Sequence, residues 1–467
     1  MKNFHPKLSL YGLYLSIGLS LGGCLFQEDT FIPLNADFGF ARFFVRTGDS
    51  IIFNNASQLA FSHKWDFGDG NTSDLSEPTH VYKDTGRYKV VLVTAKKDGI
   101  TTDTASAEIV VLPPLIETNS LVPVPTGSDE AVGYNITQLQ DGNLLLVGRQ
   151  NLRTLQVIKT STAGDDVWQS NFDNLSGGQL IVNATKELSD NSIVIVGYYF
   201  DAQGANDAFI IKLDADGREV WRNRLATVDN EIYKDVVEDP NGNLVVLGSI
   251  NASNIQLDRY SAAGVLNQST SFGETHVPES MLLSSTNKIV VSGTNNKVNP
   301  FILQTDLDFT QEKFQNLQLT GEVFKIIQLD DGAFAVAGTT PDDSSARALV
   351  AKVDANGLGT VWQTSPLAFS KSASQEAFTD IVQTGQSLIV SGSHQSVLNN
   401  DDVFLCKYGI AGTDPVLEGI KVYGGDGNDI ARQMLFDNTN LYFFGETNSF
   451  NEGRRVMYLV RLDLNLN

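Results

Sequence analysis

A short phrase recurs along this chain and limits what the chain can fold into. It consists of a polar turn, a short apolar run and a glycine, and it is clearest at Asn241–Gly248, Asp141–Gly148 and Asp331–Gly338. Weaker copies end at Gly197, Gly293, Gly392 and Gly445. Subtracting successive glycine positions gives intervals of 49, 51, 45, 45, 54 and 53 residues. The repeat is therefore about fifty residues long, and a short strand lies at its centre.

A period near fifty residues built from short strands is typical of a β-propeller, in which each copy forms one four-stranded blade. Seven copies predict a seven-bladed β-propeller over residues 113–467. Within a blade we expect an inward strand such as Ile232–Val237, then the repeated strand. A third strand such as Ala208–Asp214 and an outer strand such as the one carrying Val220 and Trp221 follow. The middle strands alternate imperfectly, which fits strands buried on both faces by neighbouring blades.

The repeat also predicts how the ring closes. The last copy ends on a third strand, Met457–Leu464, and an unassigned apolar segment, Leu121–Val124, precedes the first inward strand. We expect the earlier segment to complete the last blade and remove its free edge. The repeat resembles those of secreted and envelope propellers of Bacteroidota, and its Leu-Asp-x-x-Gly…Trp element is similar to that of quinoprotein propellers. This resemblance implies a fold and leaves the chemistry open.

The N-terminal residues have the pattern of an export signal. Lys2 and Lys7 precede a short apolar segment, Leu8–Leu19, and small residues lead to Cys24. This order predicts a signal peptide over residues 1–24. The sequence Leu-Gly-Gly-Cys resembles the bacterial lipobox, and the resemblance implies that Cys24 is acylated and becomes the new N-terminus. The alternative is a plain signal peptide with a chance cysteine.

Residues 25–35 are predicted to form a tether between the anchor and the first domain. Glu28-Asp29 resembles the acidic export signal of surface lipoproteins in Bacteroidota, which implies outward display. The expected location is thus the cell outer membrane, with the chain held by its lipid. Several acyl chains on one residue anchor firmly, because each buried CH₂ contributes about 0.8 kcal/mol.

Residues 36–112 alternate like β-structure with frequent turns, which predicts a small sandwich. The hexad Trp-Asp-Phe-Gly-Asp-Gly at 65–70 is followed by His80-Val-Tyr and Gly86-Arg-Tyr. These motifs resemble the PKD domain, an immunoglobulin-like β-sandwich, and imply a spacer or adhesion module. Trp65 and Phe67 are expected in the core. Asp66, Asp69 and His80 could be metal ligands or a catalytic cluster, but side chains that bond the turn backbone are the simpler interpretation.

Charge and motif content narrow the function. Lys+Arg 33 against Asp+Glu 55 gives a formal charge of −22, so a phosphate backbone would be repelled and nucleic acid is not an expected partner. No His-Glu-x-x-His, Cys-x-x-Cys or Gly-x-Ser-x-Gly motif occurs, and no catalytic residue is assigned. Cys406 replaces an aliphatic residue on a buried strand and is predicted to pack in the core.

No cofactor or metal site is predicted, although two turns leave room for weak surface Ca²⁺. Gly424–Asp429 resembles one calcium-binding nonapeptide but lacks tandem copies, so a glycine-rich turn between blades is favoured. Asp214–Gly217 resembles the start of an EF-hand loop without its later acidic ligand, so a hairpin is favoured. Binding residues are predicted at Tyr198, Tyr199 and Phe200, which are aromatic side chains at a rim loop. His394 is also predicted to bind, and both His394 and His276 are placed in loops. Blade-edge packing is the alternative for the aromatic group.

The expected protein is therefore a non-enzymatic cell-envelope lipoprotein, a monomeric binding or scaffold module for a glycan or an envelope protein. Two alternatives remain open. One is a glycan hydrolase or lyase with carboxylates in the central funnel, since carboxylate spacing is a three-dimensional property. The other is a purely structural component of envelope assembly.

Overall fold

The computed structural model describes residues 34–466 except for 41–43, 47, 84–85, 113–129, 174–177, 201–204, 226, 228, 252, 273–274, 297, 311, 343–344, 358, 365–375, 396–400, 425–426, 450–454 and 465. The regular structure of these residues is all β. Among them, no helix has the length and apolar character needed to cross a membrane. The predicted signal peptide, Cys24, almost all of the tether and the predicted closing strand at 121–124 lie outside the described residues.

The chain divides into two compact units. Of the described residues, the first unit contains those up to 45, 49–81 and 87–110, and the second contains those of 46–48, 82–86 and 111–466. The strands of the N-terminal region are β1 (Phe38–Phe40), β2 (Phe44–Arg46), β3 (Ser50–Asn55), β4 (Ser62–Asp66), β5 (Thr72–Ser73), β6 (Thr79–Val81), β7 (Gly86–Ala95) and β8 (Thr102–Leu112). They form two sheets, of order β1-β3-β6 and β2-β8-β7-β4-β5.

Aromatic side chains form the core of the first unit, as the hexad predicted. Trp65 and Phe67 are buried, and Phe53 lies between them at ring-centroid distances of 5.6 and 5.3 Å. The indole N–H of Trp65 donates to the carbonyl oxygen of Leu75 at 2.9 Å, so the buried ring leaves no polar atom unpaired. Buried aromatic surface of this size stabilises a small sandwich that has no disulfide.

The second unit consists of seven antiparallel sheets in chain order, here called blades 1 to 7. Blade 1 is formed by β9 (Ala131–Gln138), β10 (Leu144–Gln150), β11 (Thr154–Thr160) and β12 (Asp166–Phe172). Blade 2 is formed by β13 (Gln179–Glu187), β14 (Ile193–Phe200), β15 (Asn206–Leu213) and β16 (Glu219–Arg224). Blade 3 is formed by β17 (Glu231–Glu238), β18 (Leu244–Ile250), β19 (Asn254–Tyr260) and β20 (Leu266–Phe272).

Blade 4 is formed by β21 (His276–Leu283), β22 (Ile289–Asn295), β23 (Asn299–Thr305) and β24 (Glu312–Asn316), and blade 5 by β25 (Glu322–Gln328), β26 (Phe334–Asp342), β27 (Ser345–Val353) and β28 (Thr360–Thr364). Blade 6 is formed by β29 (Glu376–Thr384), β30 (Ser387–Gln395), β31 (Asp401–Gly409) and β32 (Val416–Tyr423). The described strands of blade 7 are β33 (Asp429–Phe436), β34 (Leu441–Thr447) and β35 (Val456–Leu462). In each blade the strands pair in sequence order, with the first strand innermost.

The seven blades close into a ring. Each inner strand packs against the preceding blade, and β9 of blade 1 contacts β33, β34 and β35 of blade 7. At this junction the Ala131 amide donates to the Arg455 carbonyl oxygen at 3.0 Å, and the Ile136 amide donates to Oε1 of Gln433 at 2.9 Å. The predicted all-β fold, with a sandwich followed by a seven-bladed β-propeller, is confirmed.

The repeated glycine has a steric cause. Opposite it, the inner strand of every blade contains a β-bulge that presses a backbone carbonyl group toward the glycine. A Cβ atom on Gly338 would lie 1.9 Å from the Glu322 carbonyl oxygen, and one on Gly445 would lie 1.8 Å from that of Ile430. Only glycine leaves space for such a close approach of two backbones. The glycine that reveals the repeat in the sequence is thus the residue that lies opposite the bulge.

Neighbouring blades are also joined by a side chain near the end of the inner strand. Glu238 of blade 3 accepts hydrogen bonds from the Ser189 amide at 2.7 Å and the Ser189 hydroxyl at 2.8 Å, both in blade 2. The equivalent residues Glu187, Gln328 and Gln383 each accept a backbone amide from the preceding blade. This inter-blade bond satisfies an amide of the turn that follows the inner strand in blades 1, 2, 4 and 5.

We expect Glu238→Ala to lower the free energy of unfolding by about 1–2 kcal/mol, because two hydrogen bonds to a carboxylate are lost. Glu312→Ala is the matched control, since this exposed glutamate lies on an outer strand. Urea unfolding followed by tryptophan fluorescence measures both variants. Equal stability of the two variants would show that the inter-blade bond contributes nothing.

Candidate functional site: a polar central channel

The bulges determine which side chains face the axis of the ring. In each blade the bulge leaves one residue of the inner strand without a partner in the ladder. These bulge residues are Tyr134, Asn183, Lys234, Glu279, Phe324, Thr379 and Arg432. All except Tyr134 line a cavity of about 620 Å³, together with the residues that follow them. The volume lies in the range of about 300–1,000 Å³ typical of ligand pockets.

Tyr134 is the exception because it turns toward blade 2. Its hydroxyl donates to the Leu180 carbonyl oxygen at 3.2 Å, and the side chain is buried. Burial raises the pKa of Tyr134 to about 12, so the phenol remains neutral at physiological pH. In blade 1 the following residue, Asn135, takes its place in the wall of the cavity.

A second ring, one residue beyond the bulges, ties the blades together around the cavity. Asp235 accepts the Met281 amide at 2.9 Å, Asp380 accepts the Met434 amide at 2.6 Å, and Gln433 accepts the Ile136 amide. Each aspartate also accepts the amide of the next residue in its own strand at 2.9 Å. Both oxygens of each carboxylate are therefore engaged with backbone amides, which holds the two carboxylates rigidly in the wall.

Two of the basic side chains that line the cavity are paired with acids. Lys234 Nζ lies 2.7 Å from Oε2 of Glu279, and Arg432 Nη2 lies 2.9 Å from Oε1 of Glu446. A third, Lys186, is exposed. The first pair joins blades 3 and 4 and the second lies within blade 7. The paired groups neutralise each other, so they add polarity to the wall and little net charge.

Lys325 differs from the other basic residues of the wall. It is partly buried, and among the described residues no carboxylate oxygen lies within 4.0 Å of its ammonium group. Burial lowers the pKa of Lys325, but the charges of Asp235 and Asp380 outweigh this effect and the pKa is raised. Burial likewise raises the pKa of the Asp380 carboxyl, against the opposing effect of Lys325. The cavity thus contains a charged ammonium group that no carboxylate of the described residues pairs directly.

The predicted aromatic group is divided by the strand that carries it. Tyr198, Tyr199 and Phe200 are the last three residues of β14. Tyr199 is buried and packs on Phe209, with the rings 4.8 Å apart, whereas Phe200 is 51% exposed. Burial raises the pKa of both tyrosines. Tyr199 therefore packs within its blade, and Phe200 is the member of the group that is most open to a ligand.

The placement of His394 and His276 in loops was wrong. His394 lies in β30 and pairs with Glu376 of β29, and His276 begins β21. The strands extend past the positions where the apolar pattern ends, which explains the error. His394 and Tyr199 each lie two residues beyond the repeated glycine, but in blades 6 and 2. These blades are separated by three steps around the ring, so the predicted residues do not form one cluster.

The remaining predicted motifs have structural contacts. Asp66 Oδ1 accepts the Gly68 amide at 2.9 Å, and Asp69 Oδ1 accepts the Asn71 amide at 3.0 Å, as expected of turn residues. Cys406 is buried in the core, as predicted. In the part of the chain that the structure describes, no three His, Cys, Asp or Glu side chains are grouped as they would be around a metal ion.

Asp214 Oδ1 accepts the amides of Asp216 at 3.0 Å and Arg218 at 2.8 Å, so the segment that resembles an EF-hand is a hairpin turn. Gly217 of this turn has a φ of 77°, and Trp168 of blade 1 packs against it. The recurrent outer-strand tryptophan and hairpin glycine therefore belong to one contact between blades.

Sequence reasoning missed the channel residues. Charged side chains lie among the apolar residues of the inner strands at Lys234, Lys325, Asp380 and Arg432. Subtraction places each bulge residue 13 or 14 positions before the repeated glycine of its blade, as 248 − 234 = 14 and 445 − 432 = 13. This fixed offset is a signal that could have identified the wall of the channel from the repeat alone.

Fold and site together define a class of protein, a β-sandwich followed by a β-propeller with a polar central channel. Residues 45–111 match the family profile described as PKD domain, so the chain contains a PKD domain. The collagenase ColA of Bacillus cereus is 32% identical over 108 residues, which cover 20% of this chain and 11% of that protein. The chain thus spans about a tenth of the length of this curated relative.

Two solved structures resemble the larger part of the chain. A catalytically inactive virginiamycin B lyase from Staphylococcus aureus, solved with quinupristin, has a TM-score of 0.45 at 13% identity and covers 73% of this chain and 98% of its own. A quinonprotein alcohol dehydrogenase-like protein from Bacteroides thetaiotaomicron has a TM-score of 0.36 at 12% identity and covers 81% and 94%.

Proposed function

We propose that this protein is a lipid-anchored cell-envelope protein that binds a glycan or a protein partner without chemically changing it. Cys24 carries the anchor, the PKD domain acts as a stalk, and the propeller presents its channel and rim to the partner. The PKD domain and the propeller fold support a role as a binding or scaffold module. The order of the modules, with a lipobox-like segment first, supports the envelope location.

The observation that carries the binding role is the state of the carboxylates in the channel. Asp235 and Asp380 each direct both oxygens at backbone amides, and Glu279 is paired with Lys234. A glycosidase needs one carboxyl free to protonate the leaving group and one to act as base or nucleophile. Because these three acids already have structural partners, the channel is better suited to holding a polar ligand than to hydrolysing one.

One observation favours the enzymatic alternative, a glycan hydrolase or lyase. Burial raises the pKa of Asp380, and Lys325 lies near it at the wall of the same cavity. A carboxyl of raised pKa beside a cation is a common arrangement in active sites. The two roles are separated by incubating purified full-length protein with a panel of polysaccharides and measuring the release of reducing ends. Release at catalytic rates that is lost in Asp380→Asn would support the enzyme and overturn the binding role.

Binding itself is tested with the same full-length protein on a glycan array, and with photo-crosslinking in cells from a probe placed at Phe200. Retention of a glycan class, or capture of one envelope protein, is the expected result. A crosslinking probe placed at Ile100, an exposed residue of the PKD domain, serves as the control. Absence of both glycan and protein partners would count against the proposed function.

Lipidation gives a further expected result. We expect Cys24→Ala to move the protein from the detergent phase to the aqueous phase, because the acyl chains that hold it in the membrane can no longer be attached. Thr30→Ala, in the predicted tether, is the control and should partition as the wild type does. Detergent-phase partitioning of the Cys24 variant identical to that of the wild type would contradict the anchor.

A further inference from the structure

The strongest unexplained feature of the channel is the ammonium group of Lys325. An ammonium offers three hydrogen-bond donors, and the described residues provide no carboxylate within 4.0 Å of it. The carboxylates that influence it, Asp235 and Asp380, use their oxygens for backbone amides. A donor group held at a cavity wall in this way is suited to an acceptor that enters from outside.

Charge limits what that acceptor can be. Four basic residues line the cavity, Lys186, Lys234, Lys325 and Arg432, against four acids, Asp235, Glu238, Glu279 and Asp380. The wall is thus close to neutral as a whole. Lys234 and Arg432 are paired with acids and Lys186 is exposed, so Lys325 is the partly buried basic group of the wall that no described carboxylate approaches within 4.0 Å. One ammonium near two aspartates can pair a single carboxylate, whereas a dianion such as phosphate would remain under-compensated.

The rest of the wall is suited to hydroxyl groups and to a ring. Amide and hydroxyl side chains face the cavity at Asn135, Asn183, Thr185, Ser280, Thr379 and Gln433. Phe324 precedes Lys325 at the bulge of blade 5, so an aromatic surface and a cation are adjacent in the same wall. Polar side chains beside an aromatic ring fit a ligand that has both hydroxyls and an apolar ring face.

We propose that the channel binds a sugar that carries a carboxylate, with Lys325 pairing the carboxylate and Phe324 packing against the ring of the sugar. The proposal rests on the proposed binding function and specifies its ligand class as an acidic glycan. The hydroxyl groups of the sugar exchange hydrogen bonds with the amide and hydroxyl side chains of the neighbouring blades. No covalent step is involved.

The experiment uses full-length protein and isothermal titration calorimetry with three probes: trigalacturonic acid, its methyl ester and the neutral trisaccharide maltotriose. We expect the acid to bind and the ester to bind at least about tenfold more weakly, since the ester lacks the charge. Lys325→Met should weaken binding of the acid by about tenfold to a hundredfold and leave binding of the ester unchanged. Lys186→Met removes the exposed lysine of the same wall and should change affinity less than about threefold.

The outcomes separate this inference from the proposed function. Equal affinity for acid and ester, or unchanged binding of the acid by a folded Lys325→Met variant, overturns the role of Lys325. Binding of maltotriose or of a protein partner, with no binding of the acid, overturns the acidic ligand and leaves the proposed function standing. Phe324→Leu keeps the charge of Lys325 in place and should lower the affinity for the acid and for the ester alike. If the affinity for neither probe changes, Phe324 does not pack against the sugar ring.

Discussion

Gly338→Ala is expected to destabilise the propeller by about 3 kcal/mol, a large effect for the addition of one methyl group. The new Cβ would lie 1.9 Å from the Glu322 carbonyl oxygen, so the bulge of blade 5 must move. Moving this bulge would displace Phe324 and Lys325, which follow Glu322 closely in the inner strand and line the channel. Thermal and urea unfolding of the variant measure the loss.

Gly248→Ala is the matched control for this prediction. It occupies the same position in blade 3, but its Cβ would lie 3.1 Å from the Ile232 carbonyl oxygen and 3.0 Å from the Tyr233 ring. A shift of a few tenths of an ångström accommodates it, and we expect a loss below about 1 kcal/mol. If both variants lose the same stability, the bulge is not the reason for the repeated glycine.

Asp380→Ala is expected to cost about 3 kcal/mol of stability or more. The substitution leaves the Ile381 and Met434 amides without their acceptor and removes a negative charge near Lys325. Thr379→Ala, one residue earlier in the same wall, has a single hydroxyl contact of 3.5 Å and should change stability by less than about 0.5 kcal/mol. Similar urea midpoints for the two variants would contradict the role of Asp380 in joining blades 6 and 7.

The pH dependence of the stability of Asp380→Asn, compared with that of the wild type, gives a further prediction. Burial raises the pKa of Asp380 above its usual value of 3.8, so the folded protein keeps this proton at pH values where the unfolded chain has released it. The contribution of the group to stability is therefore fully present below pH 3.8 and is lost as the pH rises through the folded value. Asparagine does not titrate.

The stability deficit of Asp380→Asn relative to wild type should thus shrink as the pH rises above 3.8, because the wild-type protein loses this contribution. The measurement is the difference in unfolding free energy between the two proteins at each pH, which cancels the other titrating groups. A deficit that grows with pH would mean that the folded pKa of Asp380 is lowered instead.

Much of the fold could be predicted from local patterns. Gly248 and its six equivalents defined the period, and Trp65 with Phe67 defined the sandwich core, because each feature has a short-range steric or packing cause. The expected order of strands within a blade was confirmed for the same reason, since consecutive antiparallel strands joined by short turns pair with each other.

The candidate site was less accessible to sequence reasoning. Aromatic character drew attention to Tyr199, yet the side chain packs against Phe209 inside the blade. Lys325 and Asp380 are 55 residues apart by subtraction, and only ring closure brings them to one cavity. Their importance depends on partners contributed by other blades, and the order of residues along one strand contains no information about those partners.

The sequence by itself determined the number of blades, the sandwich and the order of strands within a blade, because the repeated glycine, the turns and the apolar alternation are local features of the chain. The tertiary structure decided which polar groups are already satisfied and which remain available. That distinction arises because Asp235, Asp380 and Lys325 come from three different blades. Amides of the neighbouring blades engage the two acids, whereas no described carboxylate pairs with the lysine.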